Sequence, residues 1–279
     1  METFLGLFRY EFFQNAFLAS LFAAISCGII GAYIVARRIV FISGGITHAS
    51  FGGVGLAYYL GLNPILGAAV FGVFSALGIQ YLSDKGNVRE DSAIAIWWSL
   101  GMALGIIFVA LTPGYAPNLM SFLFGNIVIV SHYDLLWMGV LAIFTIGFFI
   151  LFFHTILFIA FDSEFAKANK LPVRLFNSIL ISLVALTIVL NIKVVGIILV
   201  ISLLTIPQVT ASLFTKDFKK MIAGSVIFGF IGSFNGLILS YYLDIPSGAS
   251  IILALVLIYL IMWIIKRGIN WRVKVKLEV

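Results

Sequence analysis

The stretch IVFISGGITHASFGGVGLAYYLGLNPILGAAVFGVFSALGIQYLS, Ile39–Ser83, contains no Asp, Glu, Lys or Arg. As a single helix it would be about 68 Å long, roughly twice the hydrocarbon core of a bilayer. Gly61-Leu62-Asn63-Pro64 breaks it near the middle, so the stretch holds two membrane spans.

The same pattern runs outward in both directions. Residues 12–36, 92–133, 135–161, 175–192, 194–215, 221–243 and 245–265 are equally free of these charges, and each can hold at least one span of about 20 residues. The chain is 62% hydrophobic and 10% charged, against about 25% charged in soluble domains, so a water-facing surface cannot be built from it. Its net charge of +6 sits in short clusters between spans, not on one basic face, which excludes a nucleic-acid partner. Cys27, inside a span, is the only cysteine, so neither a disulfide framework nor a cysteine zinc site is available. The first apolar run is long, follows Glu2, Arg9 and Glu11 and leads straight into further spans, unlike a cleavable signal.

These observations predict an all-α integral membrane protein, one transmembrane domain over residues 1–279, with about nine transmembrane helices (eight to nine). The expected spans are about 12–36, 46–60, 65–82, 92–111, 134–158, 174–191, 194–213, 221–242 and 248–265. Pro113, Gly114 and Pro117 break the segment before Tyr133, which reads as an outer loop with a re-entrant turn. Basic residues accumulate in cytoplasmic loops. With the amino terminus outside and the carboxyl terminus cytoplasmic, Arg37, Arg38, Lys85, Arg89, Lys167, Lys170, Arg174, Lys216, Lys219, Lys220 and the basic residues from Lys266 onward all fall inside, while Arg9 and Lys193 fall outside. Small-residue pairs such as Gly101 with Gly105 and Ala68 with Gly72 point to close helix packing in lipid. The longest clearly polar connection, Ser83–Asp91, cannot hold an energy-using domain. Such a domain would be another polypeptide.

Ionisable groups within a bilayer are costly and mark function. Every carboxylate here lies near a helix end, in a loop or in a tail, which argues against an ion-coupled secondary carrier. No His-Glu-x-x-His motif or intramembrane aspartate pair suggests an enzyme. His48 stands within Ser43-Gly44-Gly45-Ile46-Thr47-His48-Ala49-Ser50 at the opening of the second span, flanked by Thr47 and Ser50. Imidazole is a good ligand for zinc, manganese or iron; a packing role is the alternative reading. His132 beside Asp134 reads as part of a helix cap, and His154 as an interfacial ring. Pro207, followed by Gln208 and Thr210, frees a backbone carbonyl inside a span, as a path-lining broken helix or a packing kink would. Phe161-Asp162-Ser163-Glu164-Phe165-Ala166-Lys167-Ala168-Asn169-Lys170-Leu171-Pro172 has a helix-compatible start and a proline stop. It reads as a short cytoplasmic helix that docks in a partner's groove, or as a solvated loop.

In order and spacing, four stretches resemble the membrane subunits of ABC importers for zinc, manganese and iron, relatives of the siderophore importers. They are Arg37–Pro64 with its basic turn and Thr47-His48-Ala49 opening, Phe161–Pro172, Val194–Ala211 with Ile206-Pro207, and Ser240–Gly248. The resemblance implies a permease that is not itself an enzyme and holds no bound cofactor, the divalent ion being its cargo. It implies a second copy or similar permease, two ATP-binding cassette subunits and an extracytoplasmic metal-binding protein as partners. It also implies His48, with Thr47 and Ser50, as pathway contacts. Phe161, Asp162, Glu164, Phe165, Ala166, Lys167, Leu171 and Pro172 would form the ATPase-coupling segment. A permease for a metal chelate, siderophore or other small molecule is the alternative. Two positions depart from the family's pattern: Gly44 stands where an aspartate is common, one turn before His48, and Lys170 stands where the coupling segment usually has glycine.

Overall fold

The computed structural model describes residues 4–86, 88–113, 125, 127 and 130–277, and all elements among them are helical. A short α1 (Phe4–Leu7) precedes α2 (Glu11–Ala36), α3 (Phe41–Tyr59), α4 (Pro64–Lys85) and α5 (Glu90–Leu111). Then come α6 (His132–Leu151), α7 (Phe153–Phe161), the six-residue α8 (Ser163–Ala168) and α9 (Val173–Val195). A broken pair, α10 (Ile197–Leu203) and α11 (Ile206–Ser212), leads to α12 (Phe218–Leu243) and α13 (Ser247–Leu277).

Seven of these helices, α2, α4, α5, α6, α9, α12 and α13, are long and apolar enough to cross a membrane. The protein is therefore a multi-pass membrane protein. The sequence reading counted two more spans, and both exist as helical segments of a different kind. One is α3, a 19-residue helix carrying glycines, hydroxyls and His48 that is not among the seven; the other is the α10–α11 pair, two short helices in place of one. The expected re-entrant turn at 113–133 lies largely outside the described residues. Between its ends, Gly125, Ile127 and Val130 are among the described residues; Ile127 and Val130 are buried, and the Gly125 backbone sits against Gly196.

Local chemistry explains the break at Gly61–Pro64. Gly61 takes φ 67°, its N–H bonds the Tyr58 carbonyl at 3.1 Å, and the Leu62 N–H bonds Ala57 at 2.8 Å. This is the paired Schellman ending that a left-handed residue after a helix allows. Two residues later the Asn63 side chain accepts the Ile65 N–H at 2.9 Å, and Pro64, which has no N–H to satisfy, begins α4. The chain stops one helix and starts the next within four residues.

Helix α2 lies at the centre, with 72% of its apolar window buried, and α9 is nearly as enclosed. Helix α3 packs against α4 and α5 backbone to backbone: Gly52 and Gly55 meet Gly101 and Gly105, and Gly53 meets Gly67, so that a Cβ at these positions would run into a neighbouring main chain. Lipid tails offer no hydrophobic drive for association, so helices gain by close van der Waals contact, which glycine permits. Ala68 and Gly72 face α3 and α9 through Val54, Ser50 and Val189, as their spacing suggested. On the periphery, Val140, Ile143, Phe144 and Ile150 of α6 point outward, an apolar surface suited to lipid.

Candidate functional site

His48 projects from α3 toward α5, where its ring lies flat on the Trp98 indole with centroids 4.2 Å apart and planes 7° from parallel. The imidazole is half-buried. One turn earlier, Gly44 is also partly open, and a Cβ there would meet only the Trp98 ring edge at 3.7 Å. His48, Gly44 and Trp98 thus share one face of the α3–α5 pair, with space beside the imidazole where a larger side chain at 44 would stand.

Thr47 and Ser50 point elsewhere. Their hydroxyls donate to the carbonyls of Ser43 and Ile46 within α3, and both line a small cavity of about 20 Å³ with Val54, Ala68, Val189 and Ile192. That is room for about one water. Among the described residues no group of three or more His, Cys, Asp or Glu side chains converges.

The segment 161–172 is a built helical turn. The Asp162 side chain caps α8 by accepting the Phe165 N–H at 2.9 Å. At the other end Lys170 N–H bonds Lys167 at 2.9 Å and Leu171 N–H bonds Ala166 at 3.1 Å, another Schellman ending, with Lys170 at φ 56°. Ala166 is fully buried with Ile159 and Val173, and Leu171 packs on them. Lys167 and Glu164 pair at 2.8 Å, while Phe161 and Phe165 stay exposed. The turn is anchored through one small side chain and presents aromatic and charged groups outward.

In the broken pair, Pro207 cannot bond the Leu203 carbonyl, four residues back. The Gln208 side chain does so instead: its Nε2 donates to Leu203 at 2.9 Å and to the Cys27 carbonyl on α2 at 2.9 Å. Gln208 is fully buried, and Gly31 leaves it room, since a Cβ there would strike the amide. Pro207, Gln208 and Thr210 lie inside the protomer.

Residues 9–266 match the ABC 3 transport family. The chain belongs to that family. An ABC 3 membrane subunit is a transport component and not an enzyme; the ATPase is a separate subunit. The manganese transport system membrane protein MntC of Listeria monocytogenes is 36% identical over 256 residues, covering 92% of this chain and 91% of that protein. An uncharacterized membrane protein of Synechocystis is 41% identical over 261 residues, covering 94% and 93%. Among solved structures, PsaBC from Streptococcus pneumoniae in complex with Fab matches with a TM-score of 0.82 and 33% identity, over 92% of this chain and 93% of that one.

At one end of this ABC 3 subunit, His132 lies 2.7 Å from Glu11. Ser131 and Asp134 form a capping box, and Asp134 also holds Lys193 at 2.7 Å. These contacts tie the starts of α2 and α6 to the end of α9, so the cap reading of His132–Asp134 describes its surroundings. His154 lies beside Phe153 near the opposite end of the α6–α7 pair. Three features escaped sequence reasoning: the Trp98 partner of His48, the Gln208 brace, and Asn177, which accepts from Arg37 at 3.0 Å. The signal for the last two was a side-chain amide inside an otherwise apolar span, costly unless bonded. Nothing in the sequence pairs Trp98 with His48.

Proposed function

We propose that this subunit conducts a divalent transition-metal ion of the zinc, manganese and iron class inward across the cytoplasmic membrane. A separate ATP-binding cassette subunit powers it, and an extracytoplasmic binding protein delivers the ion. The observation that carries the reading is the half-buried His48 imidazole on a partly open α3–α5 face, in a chain whose relatives include proteins named for manganese transport. Neutral imidazole offers a lone pair to such ions without the charge of a carboxylate, so release stays possible.

Two copies would bring two His48 rings toward one path, with Gly44 leaving space for water to complete the ligand shell. Stacking on Trp98 fixes the ring plane and so the direction of its nitrogens. The segment around α8, capped at Asp162 and pinned by Ala166, is the rigid piece through which closure of the ATPases would rock the membrane subunits. In this reading the nine helical segments α2, α3, α4, α5, α6–α7, α9, α10–α11, α12 and α13 traverse the membrane, with the amino terminus outside and the carboxyl terminus in the cytoplasm. The skew of Lys and Arg supports that orientation.

The test is ATP-dependent uptake of radioactive zinc and manganese into proteoliposomes holding this chain with its ATPase and binding protein. His48→Ala is expected to lower uptake about tenfold with assembly and basal ATPase activity intact. Wild-type uptake by the variant removes His48 from the path. No metal uptake by the wild type, with uptake of a metal chelate, overturns the free-ion reading.

A further inference from the structure

Four cationic side chains from four parts of the chain line one cavity of about 490 Å³: Arg37 after α2, Lys85 ending α4, Lys167 on α8 and Arg174 in the first turn of α9. Asp84 is the one carboxylate in the lining. Glu164 holds Lys167 from outside, and Glu90 shares the small adjoining void with Arg37 and Asp84. Basic groups remain in excess. Arg37 is committed to the fold through Asn177 and the Tyr33 hydroxyl, whereas Lys85 and Arg174 are exposed and form no ion pair among the described residues.

An apolar strip leads out of this cavity. Tyr81, Leu77 and Phe74 follow one another along α4 at spacings of one turn and are all exposed, and Lys85 lies over the Tyr81 ring at 5.6 Å. The strip ends at the cavity, at the end of α4 where the apolar span gives way to charge. A free anion would gain nothing from the strip, and an acyl chain would gain nothing from the basic cavity. A molecule carrying both parts fits both.

We propose that the cavity holds the phosphate of an anionic phospholipid whose acyl chains run along Tyr81, Leu77 and Phe74. Basic pockets between helices at the cytoplasmic membrane surface attract such headgroups, each Lys or Arg adding to the affinity. The placement in the inner leaflet rests on the topology proposed above. Because Lys167 sits on α8, the headgroup would bridge the coupling segment to α4 and α9, making the lipid part of the frame that positions α8.

The experiment uses the purified, delipidated full chain in detergent, with native mass spectrometry after addition of phosphatidylglycerol or phosphatidylcholine. Wild type is expected to retain phosphatidylglycerol in preference. Lys85→Gln with Arg174→Gln should lower that affinity about tenfold or more, with an unchanged thermal unfolding midpoint. Arg174→Gln alone, expected to lose several-fold, is read if the double variant unfolds. Equal retention of the two lipids, or undiminished phosphatidylglycerol binding by the variants, overturns the proposal. Displacement of the lipid by inorganic phosphate assigns the cavity to a free anion and also overturns it. Transport and ATPase play no part in this measurement, so its failure and the failure of the metal-permease reading are told apart.

Discussion

At Lys170 a long side chain sits on a left-handed backbone, φ 56°, where any Cβ is unfavourable by about 1–2 kcal/mol and glycine is not. The glycine that the resemblance implies at this place would meet the Schellman ending of α8 without that cost, whereas Lys170 forms it with the cost. The departure was legible in the sequence, but its meaning was not, because φ is not written in residue identity. Lys170→Gly should stabilise the protein by about 1 kcal/mol, read as a raised unfolding midpoint in detergent. Gln208 is the second residue whose role depends on geometry. Gln208→Ala leaves the Leu203 carbonyl unpaired in a dry interior and should cost about 1–2 kcal/mol. Gly31→Ala pushes a methyl group into the same amide. The double variant should lose less than the two single losses combined, since removing the amide relieves the side-chain part of the clash and leaves only the Leu204 carbonyl against the new methyl group; simple additivity would show that the two sites do not touch.

Between elements, glycine placement carries the packing. Gly101 lies against the Ala49 main chain, while Gly147 has nothing within 4 Å of a Cβ. Gly101→Ala should therefore force α5 from α3 and cost about 1–3 kcal/mol, whereas Gly147→Ala should be neutral or slightly stabilising. Thermal unfolding of the two variants side by side checks this, and equal behaviour would mean that the α3–α5 contact is looser than described. The four-residue break at Gly61–Pro64 was plain from sequence because stop and start signals are local. The faces of α3 were also within reach: residues 47 and 50 are three apart and share a side, and 48 is turned about 100° away. That rotation places Thr47 and Ser50 on the cavity shared with α4 and α9, and His48 on Trp98. What no local rule supplied was the partner, since Trp98 reaches His48 only after α5 folds back on α3.

For the whole molecule, hydropathy was enough to see a multi-pass bundle, and too coarse for α3 and the α10–α11 pair, whose polar and broken character reflects burial against other helices instead of lipid. Orientation rests on the distribution of basic residues and can be tested with cysteine accessibility, because the native Cys27 is buried. In right-side-out vesicles, Leu62→Cys should react with a membrane-impermeant maleimide from outside, and Arg89→Cys only after the membrane is opened. The reverse pattern would invert the topology and with it the inner-leaflet placement of the basic cavity.

The central position of α2 has a consequence for biosynthesis. In chain order α2 leaves the ribosome before α6, α9, α11 and α12, which later pack on it, so it must wait in the bilayer without them. Ser20 and Ser26 bond carbonyls of their own helix, Ala16 at 2.8 Å and Phe22 at 2.9 Å, which lets the segment sit alone in lipid. The Asn15 amide bonds the Val130 carbonyl at 3.3 Å, and the Cys27 carbonyl meets Gln208. Both partners are translated much later, so the innermost helix is made early and finished late.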